Sequence, residues 1–511
     1  MAASSAEPFY YLDNFQLMLE TLQARDGELL APEELQLIDD FSRVGKPARA
    51  LLVRMIMRKG PLFRADRLAY AEIGASGAAI QPLIDLGWVE DRPTLTLADL
   101  FRLFGKAAVA AFLGLDARCA RQTKTALMFG LQARLAEAQP YDRCCTALGK
   151  VYGLNIGKLC DRLVLMFFGN FRQDLSEFVL ADLGVCRYEN TWSLAPSRPF
   201  STRRHVDDFH RLYECREMLH QGGDLAEIDA AFPPLIADCD WLEERRQKLR
   251  FQIAREFERT ENWARALELY STCTYREARP RLDRLRNAAS GTPSARVPRA
   301  AVVPTFELAI DKSNEGRSVE YGVRDHLLMA GGVSTQVYYV ENGLINSLFG
   351  LLCWPAIFAP IPGAFFHPFQ YGPADLSSAG FFERRSKEFG ACFAELEGGT
   401  YKEAILRRFA DRYGVASPFV AWGLVDEPML RTALECIPAQ HLDLWFKWML
   451  RDIRANKAGF PDLVQFWPRE SRYRLIEVKG PGDRLQDNQL SCLGYMLEQN
   501  MPVSVCRVRW R

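Results

Sequence analysis

The sequence predicts a multidomain chain: mostly α-helical N-terminal and central regions, then a C-terminal α/β domain. Three observations predict it. Apolar residues recur at helical spacing through long stretches before residue 290. Residues 291–304 are rich in Ala, Ser, Gly and Pro, including Pro293 and Pro298, and mark a boundary. Near the C-terminus the pattern changes to β-rich runs, Phe460 to Trp467 and Tyr473 to Lys479. A chain of 511 residues, 48% of them hydrophobic, can bury more than one core.

In the first region, 1–92, Pro47 stands where a helix can start. Leu51, Leu52, Met55 and Ile56 supply its apolar stripe. Arg54 and Arg58 lie four apart and are candidates for DNA contact. The stretch from Ile80 reads as a helix that ends at Gly87 and enters a strand at Val89. Helices followed by a short hairpin suggest a winged-helix-like unit; an ordinary helical domain with a solvated charged face is the alternative.

In the second region, 93–140, Thr96 to Gly105 reads as a short amphipathic helix ended by glycine. Arg118, Arg121 and Lys124, three apart, share a face of the next helix. Two short helices with a basic second member resemble the SAP DNA-binding module, which makes these three residues candidates for duplex phosphate contacts. A solvated face is again the alternative.

The third region, 141–290, reads as helix throughout. Ala254, Phe257, Trp263, Ala266, Leu267, Tyr270, Ala278 and Leu282 follow an order that resembles a tetratricopeptide-type helical pair. One such unit needs stacked neighbours, and arrays of this kind bind protein partners or brace other domains.

Composition removes several classes. Lys+Arg and Asp+Glu are both 64, so net charge gives no sign of nucleic acid, although local patches can still bind phosphate. The 13 cysteines form no C-x-x-C pair, and zinc-ligand spacing is absent, which suits a reduced, intracellular protein. The N-terminus shows no secretory signal. The uncharged run Leu348 to Phe366 is broken by Pro355, Pro360 and Pro362, so a buried helix plus loop is expected rather than a membrane span.

The region 305–511 carries the chemistry. The four-residue loop Pro468 to Ser471 pairs Trp467 with Arg472, and counting back along that register places Asp462 opposite Glu477. Lys479 lies two residues on and points to the same face. Two carboxylates this close repel each other unless a cation intervenes, and oxygen ligands suit Mg²⁺ or Mn²⁺. An exposed hairpin with a charge pair is the competing account. Helical offsets from Glu341 reach Leu344, Ile345, Leu348 and Leu352, which puts Glu341 on a core-facing stripe as a third carboxylate. A salt bridge to Arg324 or Lys479 would also satisfy it there. Asp483 with Gln486 reads as a capping box, and Gln489 stands at the edge of that helix's buried face.

The stretch Gly459 to Leu463, then Glu477-Val-Lys-Gly-Pro-Gly-Asp-Arg-Leu485, then Gln489, resembles the VRR-NUC branch of the PD-(D/E)-x-K nuclease superfamily. With Glu341-Asn-Gly and the upstream regions in this order, the chain resembles the Fanconi-associated nuclease family. That resemblance implies a phosphodiesterase I-type, structure-selective DNA nuclease. It would cut 5′ flaps and branched duplexes, degrade 5′ to 3′, and act in interstrand crosslink repair. It implies one or two Mg²⁺ or Mn²⁺ ions on Glu341, Asp462, Glu477 and the Val478 carbonyl, with Lys479 and Gln489 completing the catalytic set. The ubiquitin-binding zinc finger of animal members is missing, which points to a bacterial or truncated member acting in the cytoplasm or nucleoid (the nucleus if eukaryotic). A DNA-binding helical scaffold with a degenerate nuclease domain is the alternative. Oligomeric state leaves no sign in the sequence.

Overall fold

The computed structural model describes residues 8–58, 60–115, 122–132, 146–191, 197–290, 303–311, 318–332 and 334–511. It divides into two units: Met1–Val185 with Arg198–Leu242, and Cys186–Ser197 with Glu243–Arg511. Helices dominate the first and most of the second, and a mixed sheet lies in the C-terminal region, as the sequence predicts.

In the first unit the helix Tyr10–Asp26 buries Tyr11, Phe15, Met18 and Leu22, one face at helical spacing. The helix Lys46–Ile56 takes Pro47 in its first turn, where a missing N–H costs nothing. The helix Ser76–Asp85 is followed by Gly87 at φ +72° and then the strand β2 (Val89–Glu90). Among the described residues the expected hairpin does not form. Strand β1 (Leu62–Arg64) and β2 each pair antiparallel with β3 (Val151–Leu154), which lies between them. The region after Tyr141 is therefore not helical throughout. A four-residue apolar run carries too little periodicity to separate strand from buried helix. Thr96 caps the helix Leu97–Leu103 by accepting from the Asp99 N–H, and Lys124 opens the helix Lys124–Gln132. Arg118 and Arg121 lie outside the described residues.

In the second unit Asn262 caps the helix Trp263–Ser271, which buries Ala266, Leu269 and Tyr270. Trp263 departs from the repeat-like reading: it is about half exposed. The uncharged run resolves into the helices Leu344–Leu352 and Trp354–Ile357 and a loop. Leu348, Phe349, Leu351 and Leu352 are wholly buried. Among the described residues no helix is long and apolar enough to cross a membrane.

The sheet has the order β4-β8-β7-β6-β5, formed by β4 (Thr305–Ile310), β5 (Gln336–Tyr339), β6 (Leu463–Trp467), β7 (Arg472–Lys479) and β8 (Val503–Trp510). Strands β4, β8 and β7 run parallel to one another; β6 is antiparallel to both β7 and β5. Side chains alternate across it. Leu463, Ile476, Val478, Cys506 and Val508 pack with Val323 and Leu327 of the helix Val319–Ala330. Val464, Phe466, Leu475, Val503 and Val505 join the larger core with Cys492, Leu493 and Met496 of the helix Asp487–Glu498.

Candidate active site

The hairpin register is the one the loop length predicts. Trp467 pairs with Arg472 and Leu463 with Ile476, so the next step places Asp462 across from Glu477. Asp462 lies just ahead of β6, where its carbonyl accepts from the Val340 N–H at 2.8 Å. Its side-chain Oδ2 accepts from the Val478 N–H at 2.8 Å. Glu477 is fully buried on β7. Its Oε1 accepts from the Lys479 ammonium at 2.8 Å and from the Gln489 amide at 2.6 Å. Its Oε2 is buried without a hydrogen-bond partner. A buried carboxylate oxygen left unpaired is costly unless a cation or proton meets it.

The electrostatics agree. Burial first and the Asp462 charge second push the Glu477 carboxyl up to about 7, against the opposing pull of Lys479. Burial pushes Asp462 up to about 6. The Val478 N–H opposes that shift, and the charges of Glu320 and Glu341 add to it. Two carboxyls whose ionisation is disfavoured by burial and mutual repulsion are a place where a divalent cation would favour both charges. The donors present, hard oxygens with no thiolate among them, fit Mg²⁺-like ions.

Glu341 reaches this site by another route than the sequence suggests. It is not on the core-facing stripe of a helix, because the helix begins at Leu344 and Glu341 is exposed in the turn after β5. Asn342 adopts φ +52°, and its Oδ1 accepts from the Gly459 and Phe460 N–H groups at 2.8 and 3.0 Å. That clamp holds the turn open and ties it to the segment that delivers Asp462. Neither anticipated salt bridge exists: Arg324 pairs with Asp325, and Lys479 with Glu477. Glu341 instead accepts from the Tyr339 hydroxyl. With Glu341 turned to Tyr339, no three His, Cys, Asp or Glu side chains among the described residues are close enough to enclose an ion.

Gln489 does more than stand at a helix edge. The predicted capping box at Asp483 and Gln486 is displaced: Asp483 closes a turn by accepting from the Gly480 N–H at 3.0 Å, and the helix starts at Asp487. Gln489 then accepts from the Gln486 N–H at 2.9 Å through Oε1 while its Nε2 donates to Glu477. The cap fixes which end of the amide faces the carboxylate.

Sequence reasoning missed Glu320 and Tyr339. Glu320 lies in the first turn of the helix Val319–Ala330, and its charge acts on both Asp462 and Tyr339. Burial and the neighbouring carboxylates raise the Tyr339 phenol, so it stays a donor. An acidic first turn was visible in the sequence, but the sheet order that brings it to Asp462 was not.

The upstream basic residues are dispersed. Arg54 donates to Glu72 at 2.7 Å and lies over the Tyr11 ring, so its guanidinium is engaged within the fold. Arg58 and Lys124 are exposed.

A VRR-NUC domain model matches residues 397–510, and a model described as FAN1, HTH domain matches residues 9–90. The Fanconi-associated nuclease 1 homolog of Pseudomonas aeruginosa is 46% identical, over 99% of this chain and 96% of that protein. The homolog from Arabidopsis thaliana is 22% identical over 98% of this chain and 67% of that one. A crystal structure of paFAN1 bound to 5′-flap DNA with a two-nucleotide flap and a gap superposes with a TM-score of 0.92. It is 44% identical, over 99% of both chains.

Proposed function

Because this chain belongs to the Fanconi-associated nuclease 1 family, we propose that it is a structure-selective, metal-dependent DNA nuclease that cuts 5′ flaps and branched duplexes. The observation that carries this reading is the convergence of Asp462, Glu477, Lys479 and Gln489 at one end of a hairpin, with Glu477 Oε2 unpaired.

Asp462, Glu477 and the Val478 carbonyl would hold the ion, and Glu341 would join them on leaving Tyr339. Mg²⁺ or Mn²⁺, one or two ions, is the proposed identity. A divalent ion bound there supplies Lewis-acid neutralisation of phosphodiester oxygens. Lys479 brings its ammonium to the same carboxylate, where it can orient the attacking water and balance charge that develops on the phosphate. Gln489 holds Glu477 in one rotamer. Arg58 and Lys124, with Arg118 and Arg121, would hold duplex phosphates. The helices between 240 and 290 would brace the nuclease domain or carry a protein partner. Phosphodiesterase I-type chemistry, 5′ to 3′ degradation and a part in interstrand crosslink repair inside the cell complete the proposal.

The test uses four labelled substrates with Mn²⁺: a 5′ flap, a 3′ flap, a blunt duplex and a single strand. Wild type should cut the 5′ flap fastest, within a few nucleotides of the branch. Lys479→Ala should bind the flap with near-normal affinity and not cut it. Equal rates on all four substrates would remove structure selection, and a faster 3′ flap would reverse the polarity. Binding without cutting by wild type would return the scaffold reading.

A further inference from the structure

The helix face beside the carboxylates is aromatic and open. Tyr321, in the first turn of the helix Val319–Ala330, is 43% exposed. Its ring lies against that of Tyr339, with centroids 5.4 Å apart and planes 28° from parallel. The Arg324 guanidinium carbon lies 4.7 Å from the centroid of the Tyr321 ring. Leu328, two helical turns along the same face, is also exposed. At its inner end this stack meets the site, since the Tyr339 hydroxyl donates to Glu341. The next residue to Tyr321, Glu320, acts on Asp462.

Single exposed tyrosines are ordinary. This one is not single. It continues a ring stack that begins at a carboxylate of the site, and it carries a guanidinium. Packing accounts for Tyr339, which is half-buried, but the outer side of Tyr321 serves no core. Aromatic rings and arginine planes are what unpaired bases stack on, without regard to sequence, because every base has a π face.

We propose that Tyr321 and Arg324 form a stacking platform for an unpaired nucleobase of the strand whose phosphate lies at Asp462 and Glu477. This rests on the nuclease reading above. The platform fixes the base and so the position of the neighbouring phosphate, and orienting a reacting group within the site is worth rate. It selects for strands that are unpaired at the cut and is indifferent to which base is present. Arg324, now paired with Asp325 at 2.7 Å, covers the ring in the free protein and adds its own plane when the base arrives.

The experiment uses the full chain and 5′-flap DNA carrying 2-aminopurine at successive positions around the cut. Binding is read in the non-cutting Lys479→Ala protein, and cutting in otherwise wild-type protein. One position should change fluorescence on binding. That change should vanish with Tyr321→Ala and return with Tyr321→Phe. Tyr321→Ala should cut about ten- to a hundredfold more slowly, as expected for loss of one base stack, and Tyr321→Phe within about twofold of wild type on the same grounds. Wild-type cutting and fluorescence from Tyr321→Ala would overturn the platform. So would slow cutting with unchanged fluorescence, because the ring would then act only by supporting Tyr339 and Glu341. Wild type that cuts no DNA but shows the Tyr321-dependent signal would sink the nuclease reading and leave the platform standing.

Discussion

Gly459 stands in the turn that delivers Asp462, and alanine there probes whether that turn also seats Gln489. Its φ is +96°, a conformation that strains any L side chain. An added Cβ would lie 2.6 Å from the Asn488 carbonyl oxygen, 2.8 Å from its carbon and 3.1 Å from the Gln489 nitrogen. Those are backbone atoms at the start of the helix Asp487–Glu498, and they cannot swing aside as a side chain can. A left-handed backbone costs about 1–2 kcal/mol and an overpacked contact about 1–3 kcal/mol. Together, about 2–5 kcal/mol is a large part of a typical stability of about 5–15 kcal/mol. Relief of the contact pushes the helix start away and takes the Gln489 amide with it, lengthening its 2.6 Å bond to Glu477. A displacement of about 1 Å near reacting groups can cost roughly a hundredfold in rate. Gly494, in the same helix with open space around it, is the control: Gly494→Ala should gain up to about 1 kcal/mol. Urea denaturation and single-turnover cutting of a 5′ flap measure the two effects. Wild-type stability in Gly459→Ala would refute the packing argument. Lost stability with undiminished cutting would refute the link through Gln489.

Two further predictions concern the carboxylates. Glu341 is exposed, so Glu341→Gln should leave the melting temperature within about a degree of wild type, as surface changes do, while abolishing cutting; a large drop in melting temperature would make it a structural residue instead. In metal-free buffer Asp462 and Glu477 titrate near about 6 and about 7, above their ordinary values of 3.8 and 4.5. Their stabilising contribution is therefore complete below about pH 4 and is lost as pH rises through about 7. An Asp462→Asn, Glu477→Gln double variant should accordingly gain on wild type as pH rises between those values, by about 3 kcal/mol for each carboxyl and roughly 6 kcal/mol for the pair, and Mn²⁺ should erase the difference. A pH-independent difference would mean that the two carboxyls are not the buried, mutually repelling pair described here.

Local rules were enough to bring three of the proposed site residues together on the hairpin. A four-residue loop sets the register, and the register with its period of two brings Asp462, Glu477 and Lys479 to one face. The uncharged run was legible as buried helix because its prolines forbid a span. What failed was whatever depends on a partner distant in sequence. Glu341 fits a helical stripe, yet Asn342 takes a left-handed turn to satisfy the Gly459 and Phe460 N–H groups more than a hundred residues away. The strand at Val89 looked like part of a short local hairpin, yet it pairs with Val151–Leu154, which also pairs with Leu62–Arg64 on its other side. Asp483 had the spacing of a cap, yet the N-cap is Gln486, and Gln489 three residues on accepts from its N–H while the other end of the same amide donates to Glu477. Sequence alone determined which side chains could share a strand face, since that is fixed by geometry along a few residues. Tertiary structure decided burial, and burial turns a solvated charge pair into two raised carboxyls that call for a cation.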